Sequence, residues 1–372
     1  MPAPQRGQAA AVSQAAPSLT IVCCIEAGGL EQQTLLMIRS LRKFGGALAG
    51  VPVIAVIGRR GPPLQPATLR SLERLGVALE RARPEDNPAA WFPYGNKAAA
   101  VALAQRIAGT HTIAWLDSDI LVAGTPAGLE LPGGCDFAAR SEFLPPAIMP
   151  DTTANVGYWK AVCRLFDVDL ATVPWVDRND GRPPQKMFFN SGVFAWRRSS
   201  SFAAAYCDAF RRLLGSNLAQ ANGDFHFIDQ VIFTPVVVRD RLGWGHLQAN
   251  EHFMIFQGFI DGPDAAPALT GAQVIHYSRS LHEPYRERFL SRLKGERPEL
   301  HDWLQRELSE QDGASAGGVR RFPWRVLAKW RSLRWRLHAA QVERCADDGT
   351  SFPLETNPQR SVPSGQTALT PR

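Results

Sequence analysis

Residues 111–124 read HTIAWLDSDILVAG: two aspartates one residue apart, set between the apolar runs Ile113–Leu116 and Ile120–Val122. A solvated turn would explain the charge, but turns rarely interrupt so apolar a stretch. Carboxylates withdrawn from water need a compensating partner. Asp117 and Asp119, at i and i+2 after a strand, can offer hard oxygen ligands to Mg2+ or Mn2+, and a bound diphosphate would complete the coordination sphere. On these residues alone, a strand end carrying two solvated aspartates is an equally good reading.

Working outward, the preceding residues alternate between two periodicities. SLTIVCCIEAGG (18–29) reads as a strand and a glycine loop, and LEQQTLLMIRSLRKFG (30–45) as a helix with Leu35, Ile38, Leu41 and Phe44 on one face. VPVIAVIGRRG is a second strand, PATLRSLERLG a second helix and VALERA a third strand; the Ala-rich 95–108 is a helix leading into the aspartate strand. Alternating strands and helices predict an open α/β sheet, mainly parallel and flanked by helices, with ligands at the carboxyl ends of the strands. Downstream, 141–185 is Pro-interrupted, with one helical piece, YWKAVCRLFDV, the kind of loop over a sheet that often carries substrate contacts. KMFFNSGVFAWRR and AQVIHYS read as strands, SFAAAYCDAFRRLLGS and EPYRERFLSRLKG as helices, and DFHFIDQVIFTPVVV as either.

The composition, 45% hydrophobic and 20% charged over 372 residues, is globular. No apolar run approaches the roughly 18 residues of a membrane span, and Leu19–Ile25 is too short for a typical signal-peptide core, so a cytoplasmic protein is expected. Six cysteines (23, 24, 135, 163, 207, 345) show no metal-site spacing and read as free thiols. The net charge of +6 is smaller than the seven Lys/Arg of 320–336, a segment without acids, so the rest of the chain is close to neutral. The expected organisation is a flexible arm at 1–17, a catalytic domain at 18–309, a linker at 310–319, a basic amphipathic helix at 320–345 and a disordered tail at 346–372.

Three further polar groups interrupt apolar runs. Asn190-Ser191-Gly192 lies inside a strand, where Asn and Ser supply donors and acceptors and Gly permits close approach; a satisfied β-bulge is the competing reading. Asp229-Gln230 enters an apolar segment and can bind sugar hydroxyls or cap a helix. His276 on a late strand gains weight from the aspartates, since imidazole with carboxylates suits manganese.

In order, Asp-x-Asp, Asn-Ser-Gly, Asp-Gln and a strand-borne His resemble the GT-A-fold glycosyltransferases, and in particular glycosyltransferase family 8, the group of glycogenin and the bacterial lipopolysaccharide hexosyltransferases. Lys97 matches the basic residue that family carries before its aspartate strand, and Leu247–Asn250 is similar to its Leu…Asn strand. The likeness spans roughly residues 18–290 and implies a GT-A (Rossmann-like) fold. It also implies a nucleotide-sugar donor, usually a UDP-sugar, Mn2+ or Mg2+, and a glycan or lipid-linked acceptor. Carried over, Asp117, Asp119 and His276 hold the metal, with Asp117, Ser118 and Lys97 at the nucleotide. Asn190 and Ser191 are near donor sugar or acceptor, and Asp229 and Gln230 at the sugar. Asp229, or Asp224 in its place, would stabilise the oxocarbenium-like sugar; the likeness implies retention of anomeric configuration if it extends to mechanism, and an inverting reaction with a carboxylate or His as base toward the acceptor hydroxyl is the alternative.

The chain departs from the family after the histidine, where Gly and Lys-Pro-Trp are usual. Here the run is Tyr277–Tyr285 with Glu283 near the Lys position, so Arg279 or Arg286 would have to supply the diphosphate contact. A haloacid-dehalogenase phosphatase is disfavoured by Leu121 and the late position of the motif. A nucleotidyltransferase would open with a basic glycine loop where this chain has Glu26-Ala27-Gly28-Gly29; a non-catalytic glycan-binding protein is the remaining alternative.

In the basic segment, Val326, Trp330, Leu333 and Leu337 share one helical face, with Arg325, Lys329 and Arg336 roughly opposite and Trp324 and Trp335 flanking. Such a helix lies on an anionic membrane surface through 320–338, peripheral at the inner face, or packs its Trp face on the domain. No matching basic surface elsewhere points to nucleic acid.

Overall fold

The computed structural model describes residues 18–142, 146–150, 153, 155–177, 183–216, 218, 227–255, 268–314 and 322–346. The expected opening is present: β1 (Leu19–Cys24), α1 (Gly29–Phe44), β2 (Val53–Ile57), α2 (Pro66–Arg74), β3 (Val77–Arg81), α3 (Gly95–Ile107) and β4 (Thr112–Leu116). There follow β5 (Ile120–Val122), β6 (Phe137–Ser141), α4 (Val156–Leu165), β7 (Trp175–Val176), β8 (Gln185–Lys186) and β9 (Phe189–Arg197). Then come α5 (Phe202–Leu214), α6 (Ile228–Val231), α7 (Phe233–Arg239), β10 (Trp244–His246), β11 (Phe253–Met254) and β12 (Val274–His276). The last are α8 (Arg286–Glu296), α9 (Pro298–Ala314) and α10 (Phe322–Ala346).

Seven strands form one sheet in the order β10-β6-β9-β4-β1-β2-β3. β1, β2, β3 and β4 run parallel, as do β10 and β6, while β9 is antiparallel to both β4 and β6. The sheet is therefore mixed and mainly parallel. Its central strands are apolar on both faces because helices cover both. Side-chain alternation divides them cleanly: Val22, Trp115, Phe194 and Trp196 face one core layer, Ile21, Cys23, Ala114 and Val193 the other. The first layer holds α3, α5 and α7 and is largely aromatic; Phe137 meets Phe189, Phe194, Phe202 and Phe233. In α3 the buried Ala98, Ala99, Ala100 and Ala104 allow the helix to lie close to the sheet.

A second sheet, β11-β12-β5, answers the question raised by the two aspartates. The chain leaves the large sheet after β4 and joins the small one at β5, antiparallel to β12. Asp117-Ser118-Asp119 is the crossing between sheets, where backbone pairing changes partner and side chains reach solvent. Asp117 N still donates to Gly192 O of β9 at 2.8 Å, whereas Asp119 O accepts from Tyr277 N just past β12 at 3.0 Å. A third core layer, with Leu121, Ile275, Phe289 and Trp303, seals this sheet against α8 and α9.

Several expectations are refined. The segment readable as helix or strand is helical in its described part, Phe227–Arg239. Leu247–Asn250 is the end and turn after β10 rather than a strand. Helix α9 continues to Ala314, inside the stretch read as a linker, and α10 occupies most of the basic segment. Residues 1–17, 315–321 and 347–372, with the arm and tail expectations, lie outside the described residues. Cys23, Cys24, Cys135, Cys163 and Cys207 are free. No helix among the described residues is long and apolar enough to cross a membrane.

Because Phe137 is fully buried at the centre of the aromatic layer, Phe137→Ala is expected to lower unfolding free energy by about 3–5 kcal/mol. Urea denaturation measures this; a loss below about 1 kcal/mol would contradict the packing described.

Candidate active site

The crossing brings together residues from five elements. Asp117, Asp119 and His276 place one ligand atom each within 4.8 Å of one another. His276 Nε2 lies 3.3 Å from Asp119 Oδ1 because β12 pairs His276 with Ile120, the residue after Asp119. The Asp117, Asp119 and His276 side chains are 26%, 28% and 12% exposed, so the group opens to solvent from a buried base.

Beneath it lies Lys97, in the first turn of α3 and 7% exposed. Its Nζ donates to Asp229 Oδ2 (2.8 Å), to Ser191 O and Oγ (both 3.0 Å), and pairs with Asp117 Oδ1 at 3.2 Å. Ser191 Oγ donates to the same Asp229 Oδ2 at 2.7 Å, and Trp115 Nε1 to Asp117 Oδ1 at 2.7 Å. Ser191 N donates to Gln230 Oε1 at 3.2 Å. The Asn190 carboxamide accepts from Gly192 N (2.8 Å) and donates to Glu142 Oε2 (2.8 Å). A Cβ on Gly192 would stand 2.5 Å from His276 Cε1 and 2.7 Å from Nδ1, so the strand touches the imidazole only because it has no side chain there.

Electrostatics follow from this crowding. Burial would lower the Lys97 pKa, but the charges and hydrogen bonds of Asp117 and Asp229 outweigh it and hold the ammonium above the ordinary lysine range. Desolvation raises Asp117 despite Lys97, helped by the charge of Asp119. For Asp119, desolvation is outweighed by His276, whose charge and hydrogen bond lower the carboxyl; for His276, burial is outweighed by Asp119, which raises the imidazole. A site holding its two aspartates apart in proton affinity, with a neighbouring imidazole, is suited to exchange protons for a cation.

Of the expected residues, Lys97, Asp117, Asp119, Asn190, Ser191, Asp229, Gln230 and His276 converge. Ser118 is beside them, its Oγ 3.5 Å from Gln33 Oε1. Arg279 is exposed on the turn after β12, and no hydrogen bond or ion pair among the described residues ties it to the cluster. Asp224 lies outside the described residues. Lys97 is an interior organiser of carboxylates rather than an exposed cation. Two further residues belong to the site: Glu142, 2% exposed, and His252, fully buried. Arg140-Ser141-Glu142 at the end of an apolar strand was the available signal for the first; His252 had none beyond being a histidine before the apolar Phe253–Ile255.

This geometry coincides with a family assignment. Residues 21–242 match the family model described as the Rhodobacterales glycosyltransferase domain, well over half of the chain. The protein belongs to that glycosyltransferase family. Among solved structures it is similar to the galactosyltransferase LgtC in complex with donor and acceptor sugar analogues, at 15% identity. That match covers 75% of this chain and 96% of that one, with a TM-score of 0.45. It is also similar to mouse xyloside xylosyltransferase 1 (14%, 72% and 99%, TM-score 0.42). A third is the glycosyltransferase GlyE of Streptococcus pneumoniae (13%, 77% and 63%, TM-score 0.43). No curated protein sequence matches.

Replacing Lys97 by Met leaves Asp117 and Asp229 facing each other without their shared counter-charge. Lys97→Met is expected to cost about 3–5 kcal/mol in denaturant unfolding. A cost under about 1 kcal/mol, the range of an exposed pair, would show that the ammonium is not the internal tie described here.

Proposed function

We propose that the protein transfers a sugar from a nucleotide-diphosphate sugar, a UDP-hexose by the sequence likeness, to a glycan or lipid-linked acceptor, with a divalent cation at the sheet crossing. The observation that carries the reading is the convergence of Asp117, Asp119 and His276 within one ligand sphere. The donor set fits Mn2+ or Mg2+: two carboxylates and one imidazole, partly open, so that phosphate oxygens can complete the shell. Such an ion supplies counter-charge to a leaving diphosphate.

The chain's own groups account for the remaining work. Lys97 fixes Asp229 and Ser191, and through Ser191 N the Gln230 side chain, so both enter the site in one orientation. Both hydrogen bonds to the Asp229 carboxylate fall on Oδ2, leaving Oδ1 without a protein partner among the described residues. Oδ1 is then the oxygen offered to an oxocarbenium-like sugar, where preorganised negative charge stabilises the transition state more than the ground state. Gln230 uses Oε1 internally and keeps Nε2 to donate to the donor sugar. Retention of configuration is the outcome that the sequence likeness implies for this reaction. Asn190 donates to Glu142, a second, buried carboxylate beside the cluster.

Calorimetric titration of UDP with Mn2+ is expected to show binding that disappears without the ion and in Asp119→Ala. Equal binding with and without Mn2+ would rule out the metal–nucleotide site.

The acceptor's setting is suggested by α10. Its inner side packs on the domain: Trp335 lies 5.2 Å from the Phe92 ring, and His338 Nε2 is 2.7 Å from Leu214 O. The stripe Val326, Trp330, Leu333 and Leu337 is 45–57% exposed, with Lys329, Arg334 and Arg336 also exposed. Packing and exposure therefore use different sides of one helix, and the outer side has the apolar-plus-basic chemistry of an anionic membrane surface. On this reading the protein attaches peripherally to the membrane, at its inner face as the sequence expectation has it. In flotation assays, Leu333→Glu with Trp330→Glu is expected to reduce the fraction bound to anionic phospholipid vesicles by about tenfold; undiminished binding would exclude this face.

A further inference from the structure

His252 is fully buried, yet it is not an ordinary core residue. Its Nε2 lies 3.2 Å from His276 Nδ1, and its Nδ1 is buried with no hydrogen-bond partner among the described residues. The two ring planes are 19° apart with centroids separated by 5.4 Å. With the facing nitrogens so much closer than the centroids, the rings meet edge to edge and in plane, as a hydrogen bond requires, rather than face to face. An imidazole with one nitrogen unsatisfied in the interior costs stability, and Phe or Leu would fill such a position without that cost. The contact with His276 is what distinguishes histidine there.

The backbone at His252 is firmly held. Its carbonyl accepts from Arg140 Nη1 at 2.6 Å, its N–H reaches Gln248 O, and Glu251 beside it caps Gly128 N and Gln248 N. On the other side, the bare Gly192 backbone closes on His276 Cε1 and Nδ1. His276 is thus gripped between β9 and the His252 ring, and its Nε2 points at Asp119.

We infer that His252 is a positioning residue for the cation site: by accepting a hydrogen bond from His276 Nδ1–H, it keeps a proton on Nδ1, so that Nε2, which hydrogen-bonds Asp119 in the metal-free site, is the nitrogen that gives up its proton and offers its lone pair to a cation held with Asp117 and Asp119. A neutral imidazole can ligate through Nε2 only if Nδ1 carries the proton, and that proton needs an acceptor in this dry setting. The His252 Nε2 lone pair is that acceptor, which puts the His252 proton on the otherwise partnerless Nδ1. The local cost of that Nδ1–H is the signature of a group kept for the site rather than for folding.

This inference rests on the metal reading above, and the test separates the two. Mn2+ dissociation constants would be measured by titration of the free-ion electron paramagnetic resonance signal, with UDP present, on the wild type, Asp119→Ala, His252→Phe and His252→Gln. His252→Phe fills the space without an acceptor, and His252→Gln keeps one. The expected result is about a 10–100-fold weaker Mn2+ affinity for His252→Phe, a smaller loss for His252→Gln, and a thermal midpoint for His252→Phe no lower than wild type. A merely structural histidine would lower the midpoint of both variants and leave the Mn2+ affinity unmoved, which would overturn the inference alone. Absence of Mn2+ binding by the wild type would overturn the metal reading and this inference with it.

Discussion

One ammonium group, Lys97 Nζ, stands where β4, β9, α3 and α6 meet, and the arrangement around it depends on its charge. It touches Asp117 at the end of β4, Ser191 in β9 and Asp229 in α6. Remove it, and the buried Asp229 and the partly exposed Asp117 are left with only neutral donors between them. A buried ion pair adds little net stability over an apolar equivalent, but a half-broken one is costly. The consequence is specificity: α3 must begin where it does, α6 must present Asp229 inward, and β9 cannot shift at Ser191 without losing several hydrogen bonds at once.

The second constraint is the passage of the chain from one sheet to another. Asp117 belongs by backbone pairing to the large sheet and Asp119 to the small one. Two acidic side chains can occupy an otherwise apolar run because the crossing is where neither sheet covers the strand. The same crossing brings His276 alongside, since antiparallel β5–β12 pairing sets it opposite Ile120. The fold thus brings three side chains able to ligate a cation from two sheets to one point, and the organising lysine lies on the buried side of it.

Much of this was legible in the residues. The opening strands and helices follow local periodicity, and β1, β2, β3 and β4 stand where that periodicity puts them. The polar groups that interrupt apolar runs, Asp117, Asp119, Asn190, Ser191, Asp229 and His276, converge because each breaks a pattern that burial would otherwise enforce. What could not be read locally depends on pairing between distant residues. The antiparallel insertion of β9 between β4 and β6 is one such case, and the change of sheet at Asp119 another. Phe227–Arg239 is rich in Val and Ile, which favour strands, yet it is helical; packing of α6 and α7 against α5 and β9 overrides the propensity. Glu142 and His252 are hard to find in the sequence because their contacts with the site, to Asn190 and His276, are with residues far away along the chain. The family likeness singles out Lys97, but its interior role depends on partners 20 and 132 residues away, Asp117 and Asp229.

The central claim is that the sheet crossing binds a divalent cation between Asp117, Asp119 and His276 together with a nucleoside diphosphate. Anomalous diffraction at the manganese edge, on crystals grown with Mn2+ and UDP, tests it most directly. A peak bounded by those three side chains, with diphosphate density beside it, is the predicted result. Bound UDP with no peak there, or with the peak elsewhere, would contradict it.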